Sequence, residues 1–417
     1  MAILPSLTNN LAYLALLFAL IVIPRALQRF RLPAPLTSFG LGMLAATVVG
    51  AAYHDPTLIL LATLGISSLF LFAGLEIDLA SVKRGRWQLL AHLFIRSLVL
   101  TAAVCLGIRY FGLGWKTAAL LALALLTPST GFILESLPRL GLNAEERYWV
   151  SIKAIGGEIL ALLVLFIVLQ SDSVSKLTES TLALLGMLIG IPVLFKWLGR
   201  LVIPYAPGSE FSLLVMIGLI AAYITETLGE HYLVGAFLAG FVARLLRQRM
   251  PRLASQENLR AIQLFASFFV PFYFFYAGMG VPAGALSWDA LRTGLIFTGV
   301  VLPFRIATIW VQRRFFKGES AIGSLRVATA LTPTLIITLV LAAILRDRFH
   351  IADTLYGALL VYAAVSTLLP SLVLSRPPDF AISLDVAGAS NEVGAATAPV
   401  ASERSQKNDA AVGRDGL

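Results

Sequence analysis

Charge is scarce in this chain, and so are the side chains that build most metal centres. Asp, Glu, Lys and Arg make up 13% of its 417 residues, against ~25% in a typical soluble domain. The single cysteine, Cys105, lies in an apolar run, which excludes an intrachain disulfide and a multi-cysteine metal site. The four histidines are scattered singly, without the spacing of a zinc site. These absences argue against a disulfide-stabilised or zinc-dependent protein.

The motifs of nucleotide and nucleophile chemistry are missing as well. The sequence has no P-loop, which argues against an ATP-driven pump, and no serine in a nucleophile elbow. It has no Gly-rich dinucleotide fingerprint, so we expect no cofactor and no nucleotide-binding domain. The chain start lacks a basic segment and a small-residue cleavage site, so we expect the first apolar run to be retained. An enzyme is not expected.

Long apolar runs dominate what is present. Hydrophobic residues make up 58% of the chain, and the mean hydropathy is +0.85. The runs are about 20 residues long and continuous, so they match helices that cross a bilayer rather than barrel strands. We predict an all-α polytopic membrane protein with about 13 transmembrane helices. The predicted spans are residues 8–28, 34–52, 57–78, 87–111, 115–138, 146–170, 180–205, 210–228, 230–247, 256–281, 288–313, 319–346 and 350–375.

Basic residues alternate between successive loops. The loops after spans 1, 3, 9 and 11 carry arginine and lysine clusters, such as Arg25, Arg29 and Arg31, whereas the loops between them carry little positive charge. By the positive-inside rule the basic loops face the cytoplasm. We therefore expect a cell (inner) membrane protein with its N-terminus outside and its C-terminus in the cytoplasm. The net charge of +9 has the same explanation, so we expect no nucleic-acid partner.

Two distant apolar runs are interrupted by the same motif. Leu126–Gly131 reads LTPSTG, and Leu331–Thr334 reads LTPT. Each follows a second matching motif, LFLFAGLEID in span 3 and FYFFYAGMGV in span 10. An offset of seven spans is odd, so the second copy lies upside down in the membrane, as in secondary transporters with inverted repeats. We therefore predict two inverted six-helix repeats, one over residues 8–170 and the other over residues 210–375. Residues 180–205 form the connector helix between them, and residues 376–417 form a disordered cytoplasmic tail.

Proline explains both breaks, since Pro128 and Pro333 each remove a backbone donor and clash with the preceding turn. Unwinding at mid-membrane leaves free carbonyl groups and partly charged half-helix ends. Because hard cations prefer oxygen ligands, we expect the broken segments to help bind a cation. The hydroxyl residues concerned are Thr127, Ser129, Thr130, Thr332 and Thr334. For either break taken alone, a structural kink is the alternative explanation.

An acidic residue, Glu158, stands at the middle of span 6. An ionisable group at that depth indicates function, and Gly157 before it lets a neighbouring helix approach closely. Burial disfavours the charged form of an isolated carboxylate, so we expect Glu158 to hold either H⁺ or a metal cation. Arg305 in span 11 is the expected charge partner when no cation is bound. The alternative role for Glu158 is a structural ion pair. Glu135 is expected to belong to an inner funnel.

Three stretches resemble one transporter family: LFLFAGLEIDLASVKRGRW, EHYLVGAFLAGFVARLL and FFVPFYFFYAGMGV. They are similar to the monovalent cation/proton antiporter superfamily, in the branch with Kef-type and NapA-type antiporters, over about residues 8–375. The resemblance implies crossed discontinuous helices in a core domain that moves like an elevator, a homodimer, and exchange of Na⁺ or K⁺ for H⁺. It matches residues 127–130 and 332–334 to the unwound segments, Glu158 to the essential acid and Arg305 to the basic residue of span 11.

The chain departs from that family at both positions of the expected acidic pair. The family has Asp-Asp, Asn-Asp or Gln-Asp where this chain has Gly157-Glu158. One acid beside a permanently charged arginine predicts one H⁺ per cation and hence electroneutral exchange. Two other functions stay open at this point. One is transport of an organic or anionic solute, with Arg305 binding the substrate, and the other is a transport-inactive membrane sensor or scaffold.

Overall fold

The computed structural model describes residues 3–49, 55–77, 83, 85–206, 208–229, 231–246 and 255–374. Within these residues the fold is helical, without strands. The α-helices are α1 (Ile3–Leu27), α2 (Ala34–Val49), α3 (Pro56–Leu75), α4 (Arg86–Phe111), α5 (Trp115–Leu126), α6 (Thr130–Ser136), α7 (Ala144–Gln170), α8 (Val174–Val202), α9 (Glu210–Thr227), α10 (Tyr232–Leu245), α11 (Gln256–Met279), α12 (Trp288–Lys317), α13 (Ala321–Ala330), α14 (Leu335–Phe349) and α15 (Asp353–Val373).

The helices account for the predicted spans. Ten candidate spans in the described residues are long and apolar enough to cross a membrane, with α5 and α6 counted as one. The bent pair of α13 and α14 provides an eleventh, and two shorter apolar helices, α2 and α10, occupy the positions of spans 2 and 9. Together these helices stand at the positions of all the predicted spans in chain order. The predicted all-α polytopic class is confirmed.

The helix that carries Glu158 starts at a strong local signal. Asn143 accepts a hydrogen bond from the backbone N–H of Glu146, whose side chain in turn accepts from the backbone N–H of Asn143. This capping box satisfies two of the free donors at the start of α7. The helix then continues to Gln170 without proline. Because no break interrupts it, α7 holds Glu158 on a rigid element.

Both predicted helix breaks are present. α5 ends at Leu126 and α6 begins at Thr130, while α13 ends at Ala330 and α14 begins at Leu335 with a bend of 44°. The two broken segments touch, since the N–H of Ser129 donates to the carbonyl of Pro333 at 2.8 Å. The predicted crossing of two discontinuous helices is confirmed. Because proline has no backbone N–H, each break leaves helical carbonyl and N–H groups without their usual partners, and the other broken segment supplies some of these hydrogen bonds.

The helices pack in two groups. In the first group, α3 contacts α10 and α11, and α11 also contacts α2. In the same group α9 packs on α10, and α1 packs on α2. In the second, α12 contacts α13 and α15, α14 contacts α5 and α15, and α4 contacts α5 and α7. The connector α8 touches α7 in the second group and α9 and α10 in the first. The two groups meet directly where α3 contacts α6, beside the first break.

The same contacts follow the inverted repeat. With α2 equivalent to α10 and α3 to α11, the pair α3–α10 corresponds to the pair α11–α2, and both pairs pack. In the second group, α4 packs on α5 as α12 packs on α13. A pairing that holds for several helix pairs at once is what a pseudo-two-fold axis in the membrane plane produces. The predicted inverted repeat is therefore visible in the packing.

Glycines at the contact of α3 and α10 bring the two backbones close together. A Cβ added to Gly74 would lie 2.3 Å from the carbonyl oxygen of Phe237, and one added to Gly240 would lie 2.1 Å from that of Leu71. Close approach through small residues is a common mode of helix association in membranes. This contact explains two of the Gly-rich motifs in the sequence, which build one helix interface and no phosphate loop.

Several predictions concern residues outside the described ranges. The predicted tail, residues 376–417, lies there. So do some of the basic residues in the loops after spans 3 and 9, namely Arg84, Arg249 and Arg252. The tail and the cytoplasmic position of these arginines therefore remain predictions from the sequence.

Candidate functional site

Three of the predicted site residues line one crevice. Ser129 and Thr130 from the first break and Glu158 from α7 share it with Ile336 at the start of α14. Its remaining wall comes from α3, through Leu69, Phe70 and Ala73 of the LFLFAG motif, and from Gly131. The crevice therefore lies where the two helix groups meet. Sequence motifs that are far apart in the chain converge on Glu158.

Two oxygens in this crevice lack a well-aligned hydrogen bond. Glu158 is 2% exposed and Thr130 is 1% exposed. The hydroxyl and the backbone N–H of Thr130 lie close to the Glu158 carboxylate, but neither Oε2 of Glu158 nor Oγ1 of Thr130 has a well-aligned hydrogen bond. Buried polar atoms are normally satisfied, so two orphaned oxygens on the wall of one crevice call for an explanation. A carboxylate and a hydroxyl are ligands that a hard cation accepts.

The hydroxyl of Ser129 has another role. Its Oγ accepts hydrogen bonds from the backbone N–H groups of Ile336 at 3.0 Å and Ile337 at 3.3 Å. A hydroxyl oxygen has two lone pairs, and both are used here. Ser129 therefore caps the N-terminal end of α14 from the other broken helix, and its oxygen has no lone pair left for a cation. We expect Ser129 to shape the crevice rather than to coordinate an ion.

A second contact links the two broken helices in the opposite direction. Thr338, on α14, donates its hydroxyl to the carbonyl of Ala124 near the end of α5, at 2.7 Å. Free carbonyls at a helix end need a donor when no water can reach them. Ser129 satisfies N–H groups of α14, and Thr338 satisfies a carbonyl of α5. This exchange fixes the crossing point at which the crevice lies.

The hydroxyls of the second break face a different neighbour. Thr332 donates to the carbonyls of Thr329 and Ser366, at 2.8 and 3.1 Å. Thr334 shares a hydrogen bond with the hydroxyl of Ser366 at 3.0 Å. Neither residue lines the Glu158 crevice, and neither does Thr127, which is buried at the end of α5. The structure therefore brings only Ser129 and Thr130 of the predicted hydroxyls to Glu158.

Arg305 is not the partner of Glu158 in this structure. Its Nη1 donates to the carbonyl of Thr332 and to the hydroxyl of Tyr362, both at 2.9 Å, and its Nη2 donates to the carbonyl of Leu331 at 2.9 Å. Instead of forming the predicted charge pair with Glu158, Arg305 caps the C-terminal end of α13, because the break leaves these carbonyls without helical donors. Tyr362 extends this link by donating to the carbonyl of Leu125 on α5, at 2.6 Å.

Arg96 repeats this arrangement in the first half of the chain. Its Nη2 donates to the carbonyl of Leu126, the last residue of α5, at 2.8 Å. The guanidinium group also lies against Gly157, where an added Cβ would come within 2.9 Å of Nη1 and 3.0 Å of Cζ. The absence of a side chain at 157 therefore makes room for Arg96. A positive group occupies the place next to Glu158 where the resembling family carries an acid or amide.

The opposite ends of the half-helices face different sites. α6 and α14 begin at the Glu158 crevice, so their partly positive N-terminal ends favour a negative carboxylate there. α5 and α13 end at Arg96 and Arg305, whose positive charges suit the partly negative C-terminal ends. The crossing thus separates an acidic crevice from a basic region. This electrostatic division follows from the two breaks.

Other acidic residues do not join Glu158. Glu135 is half-buried on α6 and does not line the crevice. Glu76 follows the end of α3, where Arg244 donates to the neighbouring carbonyl of Ile77. Within the described ranges there is no group of three or more His, Cys, Asp or Glu side chains that could hold a metal ion. A site here depends on one carboxylate supplemented by neutral oxygens.

Three residues of the crossing were not identified from the sequence: Tyr362, Ser366 and Thr338. Each is a polar side chain deep in a largely apolar helix. Polar residues that lie deep in a span are a usable signal, and Tyr362 and Ser366 are one helical turn apart on the same face of α15. Their hydrogen-bond partners depend on the packing of the helices and could not be read from the sequence. Arg96, in contrast, could be found as the repeat equivalent of Arg305.

The family follows from the alignment of the membrane part. Residues 14–377 match the transmembrane domain of the sodium/hydrogen exchanger family. The chain belongs to the sodium/hydrogen exchanger family. The protein is therefore a multi-pass membrane transporter and not an enzyme. This membership agrees with the crossed broken helices and with the monovalent cation/proton antiporter superfamily that the motifs resemble.

Individual exchangers are similar along most of their length. Probable Na(+)/H(+) antiporter 3 of Methanocaldococcus jannaschii is 25% identical over 382 residues, which cover 87% of this chain and 95% of that protein. A Na(+)/H(+) antiporter of Enterococcus hirae is 23% identical over 363 residues, which cover 83% and 92% of the two proteins. The structure of the sodium proton antiporter MjNhaP1 from M. jannaschii at pH 8 superimposes with a TM-score of 0.64 at 14% identity, covering 88% of this chain and 96% of that one. The exchanger fold is thus shared.

Proposed function

We propose that this exchanger moves a monovalent cation, Na⁺ or K⁺, against H⁺, with Glu158 as the group that holds either one. The observation that carries the proposal is a single buried carboxylate, without an ion-pair partner in the described structure, beside a threonine hydroxyl that has no well-aligned hydrogen bond. Two similar proteins named as Na(+)/H(+) antiporters support it. Thr130 is the expected second ligand. Water and backbone carbonyls would complete the coordination shell.

We propose a stoichiometry of one H⁺ per cation. Glu158 is the only acidic residue that lines the described crevice. A proton and a monovalent cation carry the same charge, so their exchange on one carboxylate moves no net charge. Arg96 beside Gly157 supplies a fixed positive charge that does not exchange. Transport in proteoliposomes should therefore respond to a pH gradient and not to a membrane potential imposed without a gradient of the transported cation.

Alternating access would come from movement of one helix group against the other. The crevice wall from α3 belongs to the first group, and the walls from α6, α7 and α14 belong to the second. A sliding motion at that boundary would carry Glu158 and the crossing point past α3 as a unit. We propose that the second group is the moving core and that the first group forms a homodimer in the membrane, as the family resemblance implies.

The orientation is proposed from charge. Arg25, Arg29 and Arg31 at the first loop and Lys83 and Arg86 at the third favour the cytoplasmic side, with the N-terminus outside. Replacement of the one native cysteine, Cys105, gives a background for testing this orientation. A cysteine introduced at Lys83 should react with an impermeant maleimide in everted vesicles and not in intact cells. Reaction only in intact cells would reverse the orientation.

The function is tested by dequenching of a ΔpH-sensitive dye in everted vesicles after addition of NaCl or KCl. We expect a response with the native chain and none with Glu158→Ala. The matched control is Glu226→Gln, which changes an exposed carboxylate outside the crevice. A native response that survives in Glu158→Ala would contradict the assigned role of Glu158. No native response to either salt across a pH series would favour a solute carrier or a transport-inactive protein.

A further inference from the structure

A second cavity lies between α4, α12 and α7, with about 540 Å³ of empty space including its open mouth. Its polar lining consists of His92, Arg96, Lys153, Arg305, Thr308 and Gln312, and we call it the cationic cavity. No aspartate or glutamate lines it. Lys153 and Glu158 lie on the same helix, but positions five apart point in directions about 140° apart. The cationic cavity is therefore separate from the Glu158 crevice.

The positive charge in this cavity exceeds the negative charge around it. Arg96 and Arg305 each cap one half-helix end, and the C-terminus of a helix carries about half a negative charge. Two such ends offset about one of the two guanidinium charges. Neither arginine has a carboxylate within ion-pair distance in the described residues. The two arginines alone therefore leave a surplus of about one positive charge.

A hydrogen-bonded cluster completes the basic wall. Oε1 of Gln312 accepts from Nζ of Lys153 at 2.7 Å and lies 3.0 Å from Nδ1 of His92. An amide oxygen only accepts, so Nδ1 carries the hydrogen in this contact. Nε2 of His92 is buried and has no hydrogen-bond partner. In this tautomer Nε2 is an acceptor, so His92 offers no second donor to the cavity. Gln312 thereby holds two basic side chains together at one end of the cavity.

We propose that the cationic cavity binds one small monovalent anion, a halide or a short carboxylate. An uncompensated charge away from water is costly, and one anion would remove a surplus of about one charge. The rest of the lining is mainly apolar, and Phe304, 50% exposed, lies at the edge. A small anion fits a space that has donors on one side and apolar walls on the other. This site is distinct from the proposed cation site and does not depend on which cation is exchanged.

The experiment compares anions at constant Na⁺ concentration and ionic strength, with gluconate as the bulky reference. Chloride and acetate are titrated into the purified native protein, and thermal unfolding is followed by tryptophan fluorescence. A ligand that binds only the folded state raises the melting temperature in a saturable way. We expect saturable rises with chloride and acetate, and binding of about one radioactive chloride per protomer in equilibrium dialysis. No saturable response to either anion would overturn the proposal.

Lys153→Met tests the location of the site. Lys116→Met is the matched control, since Lys116 forms an ion pair with Asp172 outside the cavity. We expect Lys153→Met to lower chloride affinity at least tenfold and Lys116→Met to leave it unchanged. Equal affinity in both variants would place the anion elsewhere and overturn the assignment. If Lys153→Met does not fold, the native titration and the dialysis measurement still decide whether a saturable anion site exists.

Discussion

Ser129 and Thr130 are neighbours in LTPSTG, yet the structure predicts opposite results for their removal. Ser129→Ala deletes the oxygen that accepts from the N–H groups of Ile336 and Ile337. Loss of an N-cap costs about 0.5–2 kcal/mol, and leaving a buried donor unpaired costs about 1–3 kcal/mol. We expect a loss of about 2–3 kcal/mol in unfolding free energy.

Thr130→Val has a different expected cost. Oγ1 of Thr130 faces Glu158 without a well-aligned hydrogen bond, so valine removes only a weak contact and keeps the shape of the side chain. Stability should stay the same or rise slightly. If the hydroxyl ligates the transported cation, its loss should weaken cation affinity by about tenfold, which corresponds to ~1.4 kcal/mol. The two substitutions should therefore separate stability from cation binding.

The assay uses the six native tryptophans to follow thermal unfolding of the purified protein and vesicle dequenching to measure the apparent KM for the cation. At about 2 °C per kcal/mol, Ser129→Ala should lower Tm by about 4–6 °C. Ser136→Ala is the matched control, since Ser136 donates only to Ile133 in its own helix. A stable Ser129→Ala together with an unchanged KM for Thr130→Val would refute the assignment of cap and ligand.

Three further substitutions test other parts of the account. Arg305→Ala removes the donor from the carbonyl of Leu331 and should cost about 3 kcal/mol in unfolding free energy, so an unchanged Tm would contradict its capping role. Gly157→Ala places a Cβ 2.9 Å from Nη1 of Arg96 and should reduce the transport rate severalfold, whereas native transport would show that this contact is unimportant. His231 accepts from the backbone N–H of Leu233 and caps α10, so His231→Ala should lower the free energy of unfolding by about 0.5–2 kcal/mol. His231→Asn keeps a capping side chain and should stay close to the native Tm. An unchanged Tm for His231→Ala would contradict this role.

The helices and their breaks could be predicted because their causes are local. Apolar runs of membrane length predict spans, and Pro128 and Pro333 each remove a donor at a fixed place. The inverted repeat was also readable, because two motif pairs recur at matching separations. Both breaks then appear at the predicted residues. For these features no knowledge of the neighbouring helices is needed.

The charge partner could not be predicted in the same way. A search for opposite charges pairs Arg305 with Glu158, but the breaks also create carbonyls that have no donors. In the structure Arg305 satisfies the carbonyls of Leu331 and Thr332. In a medium without water an unpaired carbonyl costs several kcal/mol, so it competes with a carboxylate for the arginine. Counting orphaned carbonyls as well as charges would have raised this possibility.

The roles of the individual hydroxyls could not be assigned from the sequence for a related reason. The sequence shows that Ser129, Thr130, Thr332 and Thr334 lie in broken segments, but not which way each side chain faces. Ser129 caps α14, and the two threonines of the second break bond to Ser366. Only the arrangement of α14 and α15 around the crossing decides these partners. Thr130 remains as the hydroxyl that faces Glu158 without a well-aligned hydrogen bond.

The central claim is that one carboxylate, Glu158, holds either a proton or the transported cation. The most direct test is proton release from purified protein in weakly buffered detergent when Na⁺ or K⁺ is added. The native exchanger should release about one H⁺ per protomer, because a cation can displace only the proton on the single acid. Glu158→Gln should release none. Equal release from the native protein and Glu158→Gln, or none from the native protein with either cation, would contradict the account.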